Sequence, residues 1–216
     1  QTTREGAEDV RFTCIINSIA LAKDAARPSS GSRPYAERAW LLRNVILPWY
    51  ASLGVFDEVV VAGEFEEGLF HRYVPCAQVF HTVGDALLQR QLGFEATTGH
   101  PDDWVLFQHD DHLWAPENET LGVSVAADRV LSPSRWTRAR RATGEALNDG
   151  HLVPHINGHA LLMRRRIAAL VPWTSVPPVF TGDVEYTAAL ARAGVAWRYA
   201  PEYAVWDLER GAEPWK

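Results

Sequence analysis

The segment 104–114, WVLFQHDDHLW, carries an apolar run directly into four consecutive side chains able to ligate a metal: His109, Asp110, Asp111 and His112. Carboxylates and imidazoles gathered where a buried strand ends supply the donors that a hard divalent cation takes. Such an ion can share its remaining positions with a diphosphate, and Mg²⁺ or Mn²⁺ suits the donor mixture. The ordinary alternative for an HDDH quartet is a solvated turn in which Asp110 or Asp111 caps the following element. Apolar sequence flanks this quartet on both sides, with Leu113-Trp114-Ala115-Pro116 following it, and an unpaired carboxylate in such surroundings is costly. A metal-binding strand end is therefore the expectation.

Other chemistry-bearing residues lie on both sides of this segment. Thr181-Gly182-Asp183-Val184-Glu185 precedes a helical pattern in which Tyr186, Ala189, Leu190 and Ala193 share a face and Gly194 supplies the stop. Asp183 in a first helical turn is either a residue stabilised by the helix dipole or an ionised carboxylate available as a base. His151, His155 and His159 recur every four residues, but Pro154 and Gly158 argue against a helix, and the His-Glu-x-x-His pattern of zinc hydrolases is absent. Among nine tryptophans, Trp114 and Trp136 stand near the metal segment in sequence order, where an aromatic face can cover a sugar or a base.

These residues need elements to hold them. Residues 11–17 (RFTCIIN), 58–62 (EVVVA), 76–80 (CAQVF) and 104–107 (WVLF) read as short buried strands. Between them, Leu42, Val45, Ile46, Trp49 and Leu53 recur at helical spacing, with Pro48 as a potential kink and Gly54 as the stop. Leu88, Leu92 and Ala96 mark the predicted inner face of a second helix between residues 85 and 98. The Pro-, Ser- and Gly-rich stretch 23–34 reads as a loop able to close over a site. Alternating strands and helices give a parallel sheet whose ligands collect beyond the carboxyl ends of the strands. After a half-boundary near Pro116 the order is less regular, with a Trp- and Arg-rich stretch at 132–141 and a further apolar run at 160–163.

The strand ending in His109-Asp110-Asp111 resembles the Asp-x-Asp element of the family-2-type glycosyltransferases and their GT-A relatives, and the resemblance covers most of the chain. It implies one GT-A-type domain over residues 1–216. Its fold would be a Rossmann-like α/β/α sandwich around a central mixed, mainly parallel sheet, with a nucleotide-sugar half to about residue 116 and an acceptor half beyond. The metal ligands by resemblance are Asp111 and His109, the latter standing where the first Asp usually is. Asp110-x-His112 is an alternative register. Gln89-Arg90-Gln91-Leu92-Gly93 resembles the Ala-Arg-Asn-x-Gly element, which turns Arg90 toward the nucleotide or its phosphates.

The same resemblance brings Asn17 and Ser18 near the base, makes Glu64 its acidic reader, and gives Asp183 the part of general base through the Glu-Asp element. It sets His159 near the acceptor, where Trp114, by sequence order, and Glu185 are expected as well. The terminal His of the family has no counterpart in 200–207, where Asp207 is the substitute ligand. Implied throughout is transfer of a sugar from a nucleoside diphosphate sugar to a carbohydrate or other acceptor hydroxyl, with inversion and with Mn²⁺ or Mg²⁺. Two other functions share these features: a GT-A-like domain that only binds a carbohydrate or partner, and a sugar nucleotidyltransferase. The second normally opens with a Gly-rich, Arg-containing loop after the first strand, which Asn17-Ser18-Ile19-Ala20-Leu21 lacks.

Composition bounds the rest. A net charge of -6, from 21 basic and 27 acidic side chains, offers no basic surface for a nucleic-acid backbone. No apolar run approaches the length of a membrane helix, and Gln1-Thr2-Thr3-Arg4-Glu5 has no apolar signal core, so the expectation is a cytoplasmic protein without an integral membrane segment. Cys14 and Cys76 lie in apolar, strand-like runs and read as buried thiols without a role.

Overall fold

Cys14, Ile15 and Ile16, then Val59, Val60 and Val61, then Val105, Leu106 and Phe107 are all buried to 5% exposure or less. Uninterrupted burial of successive residues means that both faces of each strand are covered, as in a parallel sheet between helical layers. A computed structural model describes residues 10–18, 40–63, 71–75, 83–110, 112–115, 118, 129–139, 146–148, 160–176 and 182–208. Its first half holds a parallel block, β1 (Phe12–Asn17), β2 (Glu58–Gly63), β3 (Arg72–Pro75) and β4 (Trp104–His109), in the spatial order β3-β2-β1-β4.

The sheet continues past β4 into the second half of the chain. Strand β8 (Ala160–Arg164) pairs antiparallel with β4, and β6 (Arg129–Ala139) pairs antiparallel with β8 and parallel with β9 (Ala196–Leu208). The short β5 (His112–Trp114) lies antiparallel on β9, and β7 (Ala146–Asn148) pairs with β6. The described strands thus form one nine-stranded mixed sheet.

Alternation along the strands divides the core into two layers. Cys14, Ile16, Val59, Val61 and Leu106 face a cluster with Leu42, Ile46 and Tyr50. Ile15, Val60, Val105 and Phe107 face the other side, with Leu87, Ile167, Trp173 and Tyr186. Helix α1 (Leu47–Leu53) belongs to the first layer; α2 (Val83–Glu95), α3 (Arg165–Leu170) and α4 (Gly182–Arg192) belong to the second. The result is the α/β/α sandwich. Burial pushes the Cys14 thiol well above its ordinary range, so it stays a protonated core group. No helix among the described residues is long and apolar enough to cross a membrane.

Several local expectations change. The third strand occupies Arg72–Pro75, whereas the expected run at 76–80 lies outside the described residues. Pro48 falls in the first turn of α1, directly after a π-helical turn over Leu42–Ile46, and the widened turn accommodates its missing donor. Gly54 does close that helix, in the left-handed region at φ 62°. The irregular stretch expected at 132–141 is in large part the long strand β6, with a register shift at Pro133/Arg135. Ala193 is exposed, because the buried face of α4 ends at Leu190.

The largest correction concerns α2. Leu88 is 38% exposed, while Leu87, Gln89 and Arg90 are all buried to 2% or less. Of the predicted inner face only Leu92 and Ala96 are half-buried, and the fully buried face carries the polar Gln89 and Arg90 beside Leu87. Gly93 explains how close it packs: a Cβ there would lie 2.6 Å from Ile15 Cγ2 and 3.4 Å from Ala62 Cβ.

Gly93→Ala therefore sets a helix-propensity gain of roughly 1 kcal/mol against overpacking onto a fully buried β-branched residue, which typically costs about 1–3 kcal/mol. We expect net destabilisation, measured by urea unfolding. In an Ile15→Ala background, which removes the clashing methyl, the same substitution should cost less or become stabilising.

Candidate functional site

Because β1 and β4 are parallel neighbours in register, Asn17 and His109 lie side by side at their carboxyl ends. Helix α2 crosses above them, and its Arg90 is 2% exposed. Arg90 Nε donates to Asn17 Oδ1 at 3.2 Å, and Nη2 lies 2.7 Å from His109 Nε2. A guanidinium only donates, so His109 Nε2 is the acceptor and its proton resides on Nδ1. Below, the guanidinium carbon stands 4.5 Å from the Trp173 ring centroid. Trp173 in turn stacks on Tyr186 of α4, with centroids 3.8 Å apart and planes at 11°.

Helix α4 begins one turn before Tyr186 and carries Asp183 and Glu185 in its first turn, both half-buried. Burial lowers the Arg90 guanidinium to about 10, and the nearby charge of Asp183 followed by Tyr186 opposes that shift. Arg90 thus remains a cation at neutral pH. Arg90 and Asp183, which the resemblance assigns to donor and acceptor, come within electrostatic reach of each other.

The turn after β4 is organised by hydrogen bonds. Ser18 Oγ donates to Asp110 Oδ2 at 2.7 Å, with both side chains wholly buried. Gln108 Nε2 donates to the His112 carbonyl, closing the turn, and His112 stands opposite Asp207 in the β5–β9 register. Asn17, Ser18, Arg90, His109, Asp110 and Asp183 therefore gather at one end of the sheet, as strand order anticipates. Glu64, Asp111 and His159 lie outside the described residues, as do His151 and His155 and the side chains of Trp136 and Asp207.

One assignment is corrected. Trp114 is 1% exposed, with its ring against Phe56 and Tyr203, so it is a core residue of the opposite layer and not an acceptor surface. His109, expected as a metal ligand, has its Nε2 within hydrogen-bond distance of the Arg90 guanidinium. Among the described residues no group of three or more His, Cys, Asp or Glu side chains is arranged to hold a metal ion. Trp173 carries no signal in the sequence. It sits in a short 3-10 turn, Trp173–Ser175, after α3, where no periodicity marks a buried aromatic.

No family model matches the chain, and no curated protein matches it in sequence. Solved structures do share its fold. A Drosophila β-1,4-galactosyltransferase 7, in a complex with manganese, UDP-Gal and xylobiose, aligns at TM-score 0.52 and 12% identity over 89% of this chain and 66% of that one. The chain thus spans just under two thirds of that enzyme's length. The inositol-1-phosphate CTP transferase from T. maritima aligns at TM-score 0.50 and 10% identity, over 94% of this chain and 91% of that one. The architecture is accordingly the GT-A-type, Rossmann-like sandwich found in both glycosyltransferases and nucleotidyltransferases.

Removing the hydroxyl at residue 18 leaves the buried Asp110 carboxyl one donor short. Ser18→Ala should cost about 1–3 kcal/mol of stability, visible as a lower urea midpoint with an unchanged slope.

Proposed function

We propose that the protein is a glycosyltransferase that moves a sugar from a nucleoside diphosphate sugar to an acceptor hydroxyl with inversion. The observation that carries this reading is the convergence of a buried cation, Arg90, and a half-buried carboxylate, Asp183, at the carboxyl end of β1 and β4. In it, Arg90 faces the diphosphate and stabilises the charge that grows as the leaving group departs. Asp183 accepts the acceptor's hydroxyl proton while that oxygen bonds to the anomeric carbon and the carbon–oxygen bond to the diphosphate breaks. Glu185, two residues on, borders the acceptor.

Mn²⁺ or Mg²⁺ belongs to the reading through the family resemblance. With His109 engaged by Arg90, the carboxylates of Asp111 and Asp207 and the alternative register of Asp110 and His112 are what remain to hold such an ion. Once bound, it would supply Lewis-acid stabilisation of the diphosphate. Asn17 and Ser18 border the nucleotide, Glu64 reads its base, and His159 lies beside the acceptor. The domain spans residues 1–216 in two functional halves.

Nucleotidyl transfer is the second reading, because the fold serves both chemistries. The products separate them: sugar transfer releases a nucleoside diphosphate, whereas nucleotidyl transfer releases pyrophosphate.

Arg90→Ala should weaken UDP by roughly tenfold to hundredfold, the scale of a lost charge-assisted hydrogen bond, and weaken uridine far less, both by calorimetry. Equal losses would reduce Arg90 to a packing role.

Asp183→Asn should leave the donor's affinity within about threefold while lowering transfer at saturating donor by roughly 10²-fold or more, because the amide keeps the shape but cannot accept the proton. Near-parental turnover would remove Asp183 as the base.

A further inference from the structure

Two buried amides near the end of the β1–β2 seam carry hydrogen-bonding atoms that no group among the described residues satisfies: Nδ2 of Asn17, and both Nε2 and Oε1 of Gln89. Both side chains are 0% exposed. Burying an amide without partners is costly, so such atoms mark either a ligand's place or ordered water.

Their polarity can be read. Arg90 only donates, so the Asn17 atom facing its Nε is Oδ1, which leaves Nδ2 as a directed donor. Gln89 adds one donor and one acceptor. Its location follows from α2, which runs antiparallel to the strands as the crossover between parallel β3 and β4. Gly93 lies over Ile15 and Ala62, while Arg90 reaches Asn17, the register partner of Ala62. Gln89 is one turn before Gly93, roughly 6 Å further toward the strand ends at the helical rise, and thus on the same seam as Asn17.

We propose that Asn17 and Gln89 read the base of a pyrimidine nucleotide, an assignment that rests on the nucleotide-sugar reading above. The site offers two donors and one acceptor. The pairing edges of uracil and of cytosine each present two acceptors and one donor, which complements it. Guanine presents two donors and one acceptor, so one of its groups meets a like group, and adenine leaves a site donor unmet. A site built from buried polar atoms rejects ligands that leave those atoms unpaired.

The test is calorimetric titration of UDP, CDP, GDP, ADP and inorganic pyrophosphate into the wild type, Gln89→Leu and Gln89→Met. Leucine and methionine approximate the side-chain volume without the amide. The wild type should bind UDP or CDP at least about tenfold more tightly than GDP and ADP. In the variants that preference should fall below about threefold with pyrophosphate affinity unchanged, the difference expected when paired polar groups carry specificity. Equal wild-type affinity for all four nucleotides, or a pyrimidine preference that survives in a folded variant, overturns the assignment and leaves the nucleotide-sugar reading standing. The absence of binding by any nucleotide overturns both. Should neither variant fold, the wild-type panel alone still decides the base preference.

Discussion

A guanidinium taken out of water at the end of a sheet loses hydration worth several kcal/mol, and only closely placed partners offset the loss. Arg90 is in that position, and four separate elements answer it. Strand β1 supplies the Asn17 carbonyl, β4 the His109 ring nitrogen, the turn at Trp173 a π face, and α4 the charge of Asp183. Each partner comes from a different stretch of chain. The cation therefore stays buried only when β1, β4, α2 and α4 are all in place, and the site is a readout of the whole second layer.

Packing sets the distances that make this work. Gly93 lets α2 approach the β1–β2 seam, and from that height an arginine one turn earlier reaches the strand ends. Trp173 joins the two helices that carry Arg90 and Asp183. Its ring lies beneath Arg90 on one side and parallel to Tyr186 on the other, while its backbone N–H donates to Gln91 Oε1 at 2.9 Å. The Tyr186 hydroxyl donates to the Val171 carbonyl at 2.9 Å, which anchors the start of α4 and with it Asp183.

The same arrangement changes the electrostatics expected from the HDDH quartet. An imidazole that accepts from an arginine is not a lone pair available to a cation. The Arg90 guanidinium brings positive charge to this sheet end, and Asp110 accepts from the Ser18 hydroxyl.

Much of the scaffold was legible in the chain. Runs such as CII and VVV are too short and too apolar for anything but strands covered on both faces, and Gly54 and Gly194 stop helices at φ 62° and 73° as their positions suggest. The quartet's place at a strand end follows from the apolar run before it, whereas Arg90 and Asp183 enter only through the family resemblance. Side-chain facing was not legible. Helix α2 buries Gln89 and Arg90 beside Leu87 while exposing Leu88, so its inner face mixes polar and apolar side chains. Trp114 and Trp173 are equivalent as letters; long-range packing sends one into the core beside Tyr203 and the other under Arg90. Local composition determines which segments are strands and helices, since that depends on neighbours a few residues apart. Which ring nitrogen is occupied, which amide is left unpaired and which carboxylate meets the cation depend on residues some ninety positions apart, such as Ser18 and Asp110, and only tertiary structure brings those together.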